Sequence, residues 1–555
     1  MRKHESGADP SIRRDVIIWR LEWLTAVLLT LAVVSLHVMT ATSAGPLWRD
    51  EANTVRLATL PTLGEVWNNL QYDSFPLLWL LIVRGYSALV GQMNDPAFRV
   101  LGFCVGVSVV GVLWLNARTF RNSFPLLSLS LLAMSPSLIV WGDSMRAYGF
   151  GIALILLTGA LLWRFVEKPI GRRFAAAAIA AIASVHTLYY NSVLLLAFCA
   201  GAVAVCALNR AWKRAGLVVL IGGLAAISIL PYAGTIRNAS TWNVLVQIYD
   251  YDLIWFVAKL QQTLRPAGPW VLDAWVVLFA LTILAGVRAV RLPGQLGISQ
   301  RQREAVLFAL VTLVVGVLAI FVFLHRLSYE TQPWYYLTLL ALAGVCIDAV
   351  FGVVSQTPLL RIARLVVVLL LASATFLPAM AAVRQRMTNV DLVASRLHEI
   401  AQPGDLVLVN HWHFGVTFNR YYNGRAGWMT VPPIAFHRFH RYDLLKQQMM
   451  VPDQTSPARQ VIAQATEALR AGHRVFIVGR LELPSAVQPL APLPPAPLPG
   501  HQPWPTNAYL AQWSLMVGDF LKRHSTTLES VHVEVRGSVN AYENAQLFVA
   551  SGWRP

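Results

Sequence analysis

Long apolar runs, cut by short polar punctuation, dominate the first 384 residues. A helix needs about 20 mostly apolar residues to cross a bilayer. Eleven stretches qualify: 23–41, 97–116, 124–141, 148–163, 174–190, 191–208, 215–232, 269–287, 305–324, 333–354 and 365–383. A twelfth, "SFPLLWLLIVRGYSALVG" (74–91), is apolar but interrupted by Arg84. After residue 384 the rhythm changes. "GDLVLVN" (404–410) and "HRVFIVG" (473–479) read as buried strands bounded by turn residues. "SPARQVIAQATEALRAG" (456–472) reads as a helix with a Ser cap and a Gly stop, and 483–505 as a proline-rich extended connection. The predicted fold is a polytopic α-helical membrane protein, with about eleven spanning helices plus outer juxtamembrane helices over residues 1–384. A soluble α/β domain over 385–555 follows it.

Charge decides how the twelfth stretch is used. The chain is 56% hydrophobic with only 13% charged residues, yet its net charge is +17. If 74–91 does not cross and the N-terminus is cytoplasmic, every basic cluster falls on the inner side. These are Arg118 and Arg121; Arg164, Lys168, Arg172 and Arg173; Arg210, Lys213 and Arg214; Arg288, Arg291, Arg301 and Arg303; Arg361 and Arg364. Counting 74–91 as a span puts them all outside, against the positive-inside rule. The stretch is therefore read as an amphipathic or re-entrant helix packed on protein at the outer side. The positive charge is then a topology signal, and nucleic acid is not an expected partner. The first apolar run has signal-peptide features but is long enough to span, so it is read as a retained anchor. The four cysteines lie in apolar runs without metal spacing and are read as packing residues.

The same topology collects the candidate chemistry at the outer side. Loop 42–96 opens with "PLWRDEANTVRLA", where Asp50 and Glu51 follow an interfacial Trp48. A carboxylate in a partly dry cleft there can serve as a general base; the alternative is a solvated helix cap. "YDSFPLLW" places Asp73 before a proline-started helix, where an N-cap also explains it. "SPSLIVWGDSMRAYGF" puts Asp143, Arg146 and Tyr148 in a tight outer turn, which an Asp143–Arg146 surface pair could close. Arg237 and Arg265 in 233–268, and His325 and Arg326 before Pro333, are outer bases that the inside rule does not explain. Together they suit an anionic phosphate, although each alone suits interfacial snorkelling. His186, Tyr189 and Asn191 read as a buried polar cluster. Asp348 is the one acid deep in an expected span, toward the inner side. No Walker loop, dinucleotide fingerprint, HExxH or serine elbow occurs. An outer-side enzyme without nucleotide motifs needs a lipid-carried donor.

The order "WRDEANTVRLA", "YDSFPLLW", "DPAFRVLGFCVGVSVVGVLWLNAR", "SPSLIVWGDSMRAYGFGIALILL", then a soluble tail, resembles the glycosyltransferase C superfamily over about residues 20 to 385. It is most similar to the family 39-type group of protein O-mannosyltransferases and lipid A aminoarabinose transferases. The resemblance implies a transferase that moves a sugar from a polyprenyl-phosphate donor to an acceptor glycan, lipid or protein on the outer face, with inversion. Asp50, with Glu51 beside it, is implied as the catalytic base. Asp73, Asp143, Arg146 and Tyr148 match further motif positions, although "DSFPLLW" lacks the family's His-Pro-Pro. Arg326 is implied as a donor-phosphate ligand. Some superfamily members use a divalent metal, which the loop acids could hold, but no closed ligand set is visible. The implied location is a bacterial inner membrane with the tail periplasmic. A transporter or flippase of a lipid-linked or anionic substrate is the rival class; it places binding groups near the midplane on broken, repeated helices.

Overall fold

The structure, a computed structural model, describes residues 10–73, 75–120, 124–497 and 503–555. Arg121, one of the expected inner bases, and part of the proline-rich connection lie outside the described residues. Among those described, nine helices are long and apolar enough to cross a membrane. They are Arg13–Ser43, Asp95–Thr119, Tyr148–Glu167, Asn191–Leu208, Trp212–Ser240, Val271–Arg291, Gln300–Leu327, Pro333–Val354 and Pro358–Val383. The chain is an integral membrane protein.

The other two expected spans differ in form. Region 124–141 is broken into Leu126–Ser128, a π-helical turn over Leu129–Ala133, and Pro136–Gly142. Pro136 lacks an amide hydrogen and its ring obstructs the preceding turn, so one continuous helix cannot form. Every residue from 124 to 139 is buried. This is the condition under which irregular backbone is tolerated at membrane depth. Asp348 secures the break: it accepts from the Leu127 amide at 3.2 Å and from Ser128 Oγ at 2.9 Å. Region 174–190 gives a helix of only 15 residues, Gly171–Val185. Its end is fastened by Asn191, whose amide donates to the carbonyls of Gly151 and Ser184 at 3.0 and 3.3 Å.

The ambiguous twelfth stretch forms Leu77–Val90, 14 residues, too short to cross. Arg84, the residue that breaks its apolar pattern, donates to the carbonyls of Ala58, Leu60 and Pro61 at 2.9, 2.5 and 3.0 Å. It thereby satisfies acceptors left free at the end of the Arg49–Ala58 helix. At the opposite end of the bundle Glu22 pairs with Arg361 and Arg364 at 2.5 and 2.7 Å.

The residues after 384 build a five-stranded sheet in the order β2-β1-β3-β5-β4. The strands are β1 Leu406–Asn410, β2 Gly427–Thr430, β3 Val475–Gly479, β4 Ser525–Ser530 and β5 Gln546–Trp553. β1 runs parallel to both β2 and β3, while β5 is antiparallel to β3 and β4. β1 and β3 are the buried strands expected from sequence, covered on both faces. Leu408 and Ile477 pack with Val461, Leu469 and Trp513; Val407, Val409, Phe476 and Val478 pack with Val393, Leu397 and Phe418. Helix Ser456–Arg470 is also where the pattern placed it.

The sheet sits on one end of the bundle. Its hydrogen bonds and ring contacts to the rest of the chain fall on segments 44–95, 141, 241–245 and 332–334. All of these lie in regions that the charge argument assigned to a single side. Two glycines let the 142–148 turn sink between helices at that end. A Cβ on Gly102 would lie 2.0 Å from the Asp143 carbonyl oxygen, and one on Gly106 would lie 2.2 Å from Asp143 Oδ1 and 2.5 Å from His37 Nδ1. Gly106→Ala therefore costs about 1–3 kcal/mol of stability through overpacking. It lowers the Tm in detergent, whereas Gly111→Ala, whose Cβ meets open space, leaves the Tm unchanged.

Candidate functional site

Glu51 organises the end of the first span. Its Oε2 accepts from the Trp48 amide at 3.2 Å, which caps the Arg49–Ala58 helix. Arg99 grips both oxygens, Nη1 to Oε1 at 2.6 Å and Nη2 to Oε2 at 2.9 Å, and the Met145 amide donates to Oε1 at 2.8 Å. Arg99 also donates to the carbonyls of Gly45 and Pro46 at 2.8 and 2.6 Å. Glu51 is fully buried and its oxygens are occupied. It ties the first loop, helix Asp95–Thr119 and the 141–148 turn into one unit.

Asp50, one residue earlier, points elsewhere. Its side chain is 21% exposed, with Oδ1 3.6 Å from Arg49 Nε and 3.4 Å from His440 Nε2. Burial opposes its charge, but His440, Arg146 and Arg49 outweigh burial and hold the carboxyl well below the usual carboxylate range. Arg146 is the centre of this group. Its Nη1 donates to Asp73 Oδ1 at 2.8 Å, to Thr54 Oγ1 at 2.8 Å and to the Asp50 carbonyl at 3.2 Å. Its guanidinium stacks over Phe75 at 4.3 Å. Burial disfavours the Arg146 charge, yet Asp73 and Asp50 hold it firmly protonated. Tyr148 meets the other side of the group, edge-on to Phe75 at 5.2 Å. Its hydroxyl is buried without a hydrogen-bond partner among the described residues.

Asp50 and Asp73 of loop 42–96 are thus brought together with Arg146 and Tyr148 of the 141–148 turn. The simpler pairings considered from sequence do not form. Asp73 is not the cap of Leu77–Val90, whose cap position is Pro76; it faces Arg146 and Thr54 instead. Asp143 does not pair with Arg146. It turns into the bundle, where His37 Nδ1 lies 2.9 and 2.8 Å from its two oxygens. Arg237, Arg265, His325 and Arg326 are exposed. His325 Nδ1 lies 2.6 Å from the Tyr251 carbonyl. No described contact joins these four to the Arg146 group. His186 and Asn191 are hydrogen-bonded as expected of a buried polar cluster, but the Tyr189 hydroxyl has no partner among the described residues.

The tail roofs the group, and its contribution escaped the sequence reading. The His440 amide donates to Asn53 Oδ1 at 2.7 Å, one helical turn from Asp50, and its imidazole faces Asp50. Tyr72 Oη donates to Asp443 at 3.0 Å, and Arg441 lies over the Tyr72 ring at 4.9 Å. Arg420 pairs with Asp95 at 2.5 Å. Glu543 accepts from the Arg49 amide at 3.0 Å and from Thr417 Oγ1 at 2.5 Å. Tyr542 joins Trp48, Trp141 and Trp334 in one aromatic cluster. The density of His, Arg and aromatic residues in "FHRFHRYD" (436–443) was the available signal. Arg99 had one too: a buried arginine at the lip of a span requires a carboxylate.

Among the described residues, no group of three or more His, Cys, Asp or Glu could hold a metal ion. Asp50 and Asp73 both act on the Arg146 cation.

No protein-family model matches this chain, and no curated protein matches it in sequence. Solved structures do match in shape. The Archaeoglobus fulgidus oligosaccharyltransferase tethered with an acceptor peptide superposes over 93% of this chain and 74% of its own, with TM-score 0.53 and 11% identity. The apo form of that enzyme covers 83% and 69%, with TM-score 0.52 and 11% identity. ArnT from Cupriavidus metallidurans bound to undecaprenyl phosphate covers 82% and 92%, with TM-score 0.48 and 14% identity. The likeness is one of fold: a polytopic helical bundle with a soluble C-terminal domain, as the hydropathy pattern predicted.

The two adjacent acids respond differently to neutralisation. Glu51→Gln strands the buried Arg99 charge and costs about 3–5 kcal/mol. Asp50→Asn costs much less, because Arg146 keeps Asp73; thermal melts of the two variants in detergent distinguish them. Burial pushes the Glu543 carboxyl up to about 8, against Arg49 and Thr417. A carboxyl raised in the folded state lends stability that is complete below its ordinary value of 4.5 and is lost as pH rises through 8. The Tm therefore falls between pH 5 and about 9 through this group, and Glu543→Gln flattens that slope.

Proposed function

We propose that this chain is a membrane glycosyltransferase that moves a sugar from a polyprenyl-phosphate donor to an acceptor hydroxyl at the outer face. The observation that carries the reading is the assembly of Asp50 and Asp73 from loop 42–96 with Arg146 from the 141–148 turn into one group at the bundle end, partly open at Asp50 and roofed by the tail. The fold shared with an oligosaccharyltransferase solved with an acceptor peptide supports it.

In this reading the donor arrives from the bilayer and the acceptor from outside. A single displacement at the anomeric carbon inverts configuration. Asp50, with its open oxygen, takes the acceptor proton. Arg146, anchored by Asp73 and packed over Phe75, presents positive charge where the phosphate leaves. Tyr148 offers a free hydroxyl to the same space. Glu51 supports the site by tying loop 42–96 and the 141–148 turn to helix Asp95–Thr119. The exposed bases Arg237, Arg265, His325 and Arg326 draw the lipid phosphate toward the bundle end. Residues 1–384 form the transfer unit, and 385–555 form the extracytoplasmic unit that closes over the acceptor, with the N-terminus cytoplasmic.

The test uses the purified full chain in nanodiscs with a panel of polyprenyl-phosphate sugars and candidate acceptors. The native chain consumes one donor, and Asp50→Asn lowers the rate by about 10²–10⁴-fold with the Tm retained. Consumption of no donor, or a silent Asp50→Asn, overturns the reading.

A further inference from the structure

Asp50 is placed as a proton acceptor, yet its surroundings favour the bare carboxylate. Arg49, Arg146 and His440 all stabilise its charge. A proton arriving there does not rest; it needs somewhere to go. Besides solvent, the tail supplies a destination.

His440 is 6% exposed at its side chain, and both ring nitrogens are buried without a hydrogen-bond partner among the described residues. Leaving a buried polar group unpaired costs free energy, so such a group in a native site calls for a role. Its Nε2 stands 3.4 Å from Asp50 Oδ1, close enough for an ion pair but not aligned as a hydrogen bond. The placement is tightly held. The His440 amide is tied to Asn53 on the same helix that carries Asp50. Trp412 packs edge-on to the imidazole at 5.7 Å, and Tyr442 lies 5.9 Å away. Trp242 stacks on Tyr442 at 4.8 Å and completes the wall. The charged and titratable groups that act on the ring are Asp50, Arg49, Arg146 and, beyond the ring, His413.

We infer that His440 is the second half of the proton acceptor: the acceptor proton enters Asp50 on its open oxygen, the protonated carboxyl turns about its Cβ–Cγ bond, and the proton passes to the His440 Nε2. The inference rests on the transferase reading above. In the balanced step, the acceptor oxygen forms its bond to the anomeric carbon and loses its proton to Asp50. The bond from that carbon to the phosphate oxygen breaks, and its electron pair leaves with the lipid phosphate. Asp50 passes its proton to His440 and returns to the carboxylate, and the imidazolium that forms faces that carboxylate. Once product has left, the proton returns through Asp50, whose side chain reaches solvent, and the pair is reset. An imidazole holds a proton about 2.6 units more tightly than a carboxylate at their ordinary values. Burial lowers His440, while Asp50 acts to raise it again. His440 lies behind Asp50 and acts through it, so it is a positioning and relay residue.

The experiment compares native full chain, His440→Gln and His440→Ala in nanodiscs, using the polyprenyl-phosphate sugar that the native chain consumes. His440→Gln can still face Asp50 with an amide but cannot take a proton. The expected result is a kcat lowered by about 10²-fold in both variants, with KM within about twofold. The acidic limb of the native kcat profile disappears in His440→Gln, and added imidazole restores part of the His440→Ala rate. A kcat near native overturns the inference. So does a loss with the acidic limb unchanged and no rescue by imidazole, which marks a purely structural role. If the native chain consumes no donor, the transferase reading fails, and the pair is then judged without turnover by histidine NMR titration. The resonance absent from His440→Gln titrates at lower pH in Asp50→Asn if the two groups are coupled; an unmoved titration overturns the pairing.

Discussion

The buried Arg99–Glu51 pair is the contact on which the tail-bearing end of this molecule depends. Two opposite charges removed from water are tolerable only when geometry is good and the remaining valences are filled. Both conditions hold. Glu51 accepts from the Trp48 and Met145 amides as well as from Arg99, and Arg99 donates to two further carbonyls. The pair therefore acts as a knot between three segments that are far apart in sequence. Because that knot is rigid, Asp50 next to it is carried on a fixed helix and presented toward Arg146 and Asp73.

The tail completes what the knot begins. Its contacts divide into apolar and polar kinds: the Tyr542–Trp48–Trp141–Trp334 cluster excludes water, and the Arg420–Asp95 ion pair with the hydrogen bonds from the Arg49 amide to Glu543 and from Tyr72 to Asp443 fixes the orientation. The result is a low-dielectric chamber in which charges act strongly on one another. Asp50 is held ionised there although it is largely buried, and Arg146 is held protonated for the same reason. The chamber is built from two very different materials, a lipid-embedded bundle and an α/β sheet. Its chemistry belongs to the seam between them.

Much of the fold was legible from the chain. Apolar runs mark spans because the bilayer leaves a backbone no other solution. The exception was instructive. Region 124–141 is apolar throughout and reads as a span, but Pro125 and Pro136 break it, and burial on all sides lets the break persist. Arg84 was legible as a defect in the 74–91 stretch, and the charge argument used it correctly, but its carbonyl partners on the preceding helix were not. In the site, the motif residues Asp50, Asp73 and Arg146 were named from sequence, but their pairing was misjudged. Asp73 and Asp143 were each offered a local partner, and each took a distant one instead.

The sequence by itself determined the class of molecule: most of its spans, the buried strands of the tail and the segments that carry polar chemistry. Those are local properties, set by hydropathy, propensity and charge over windows of a few to twenty residues. Only the tertiary structure decided which carboxylate binds which base. Glu51 took Arg99, Asp73 took Arg146, Asp143 took His37, and Asp50 was left facing a histidine nearly four hundred residues away. Partner choice in a buried polar network follows three-dimensional distance and desolvation. Neither is recorded in the spacing of residues along the chain.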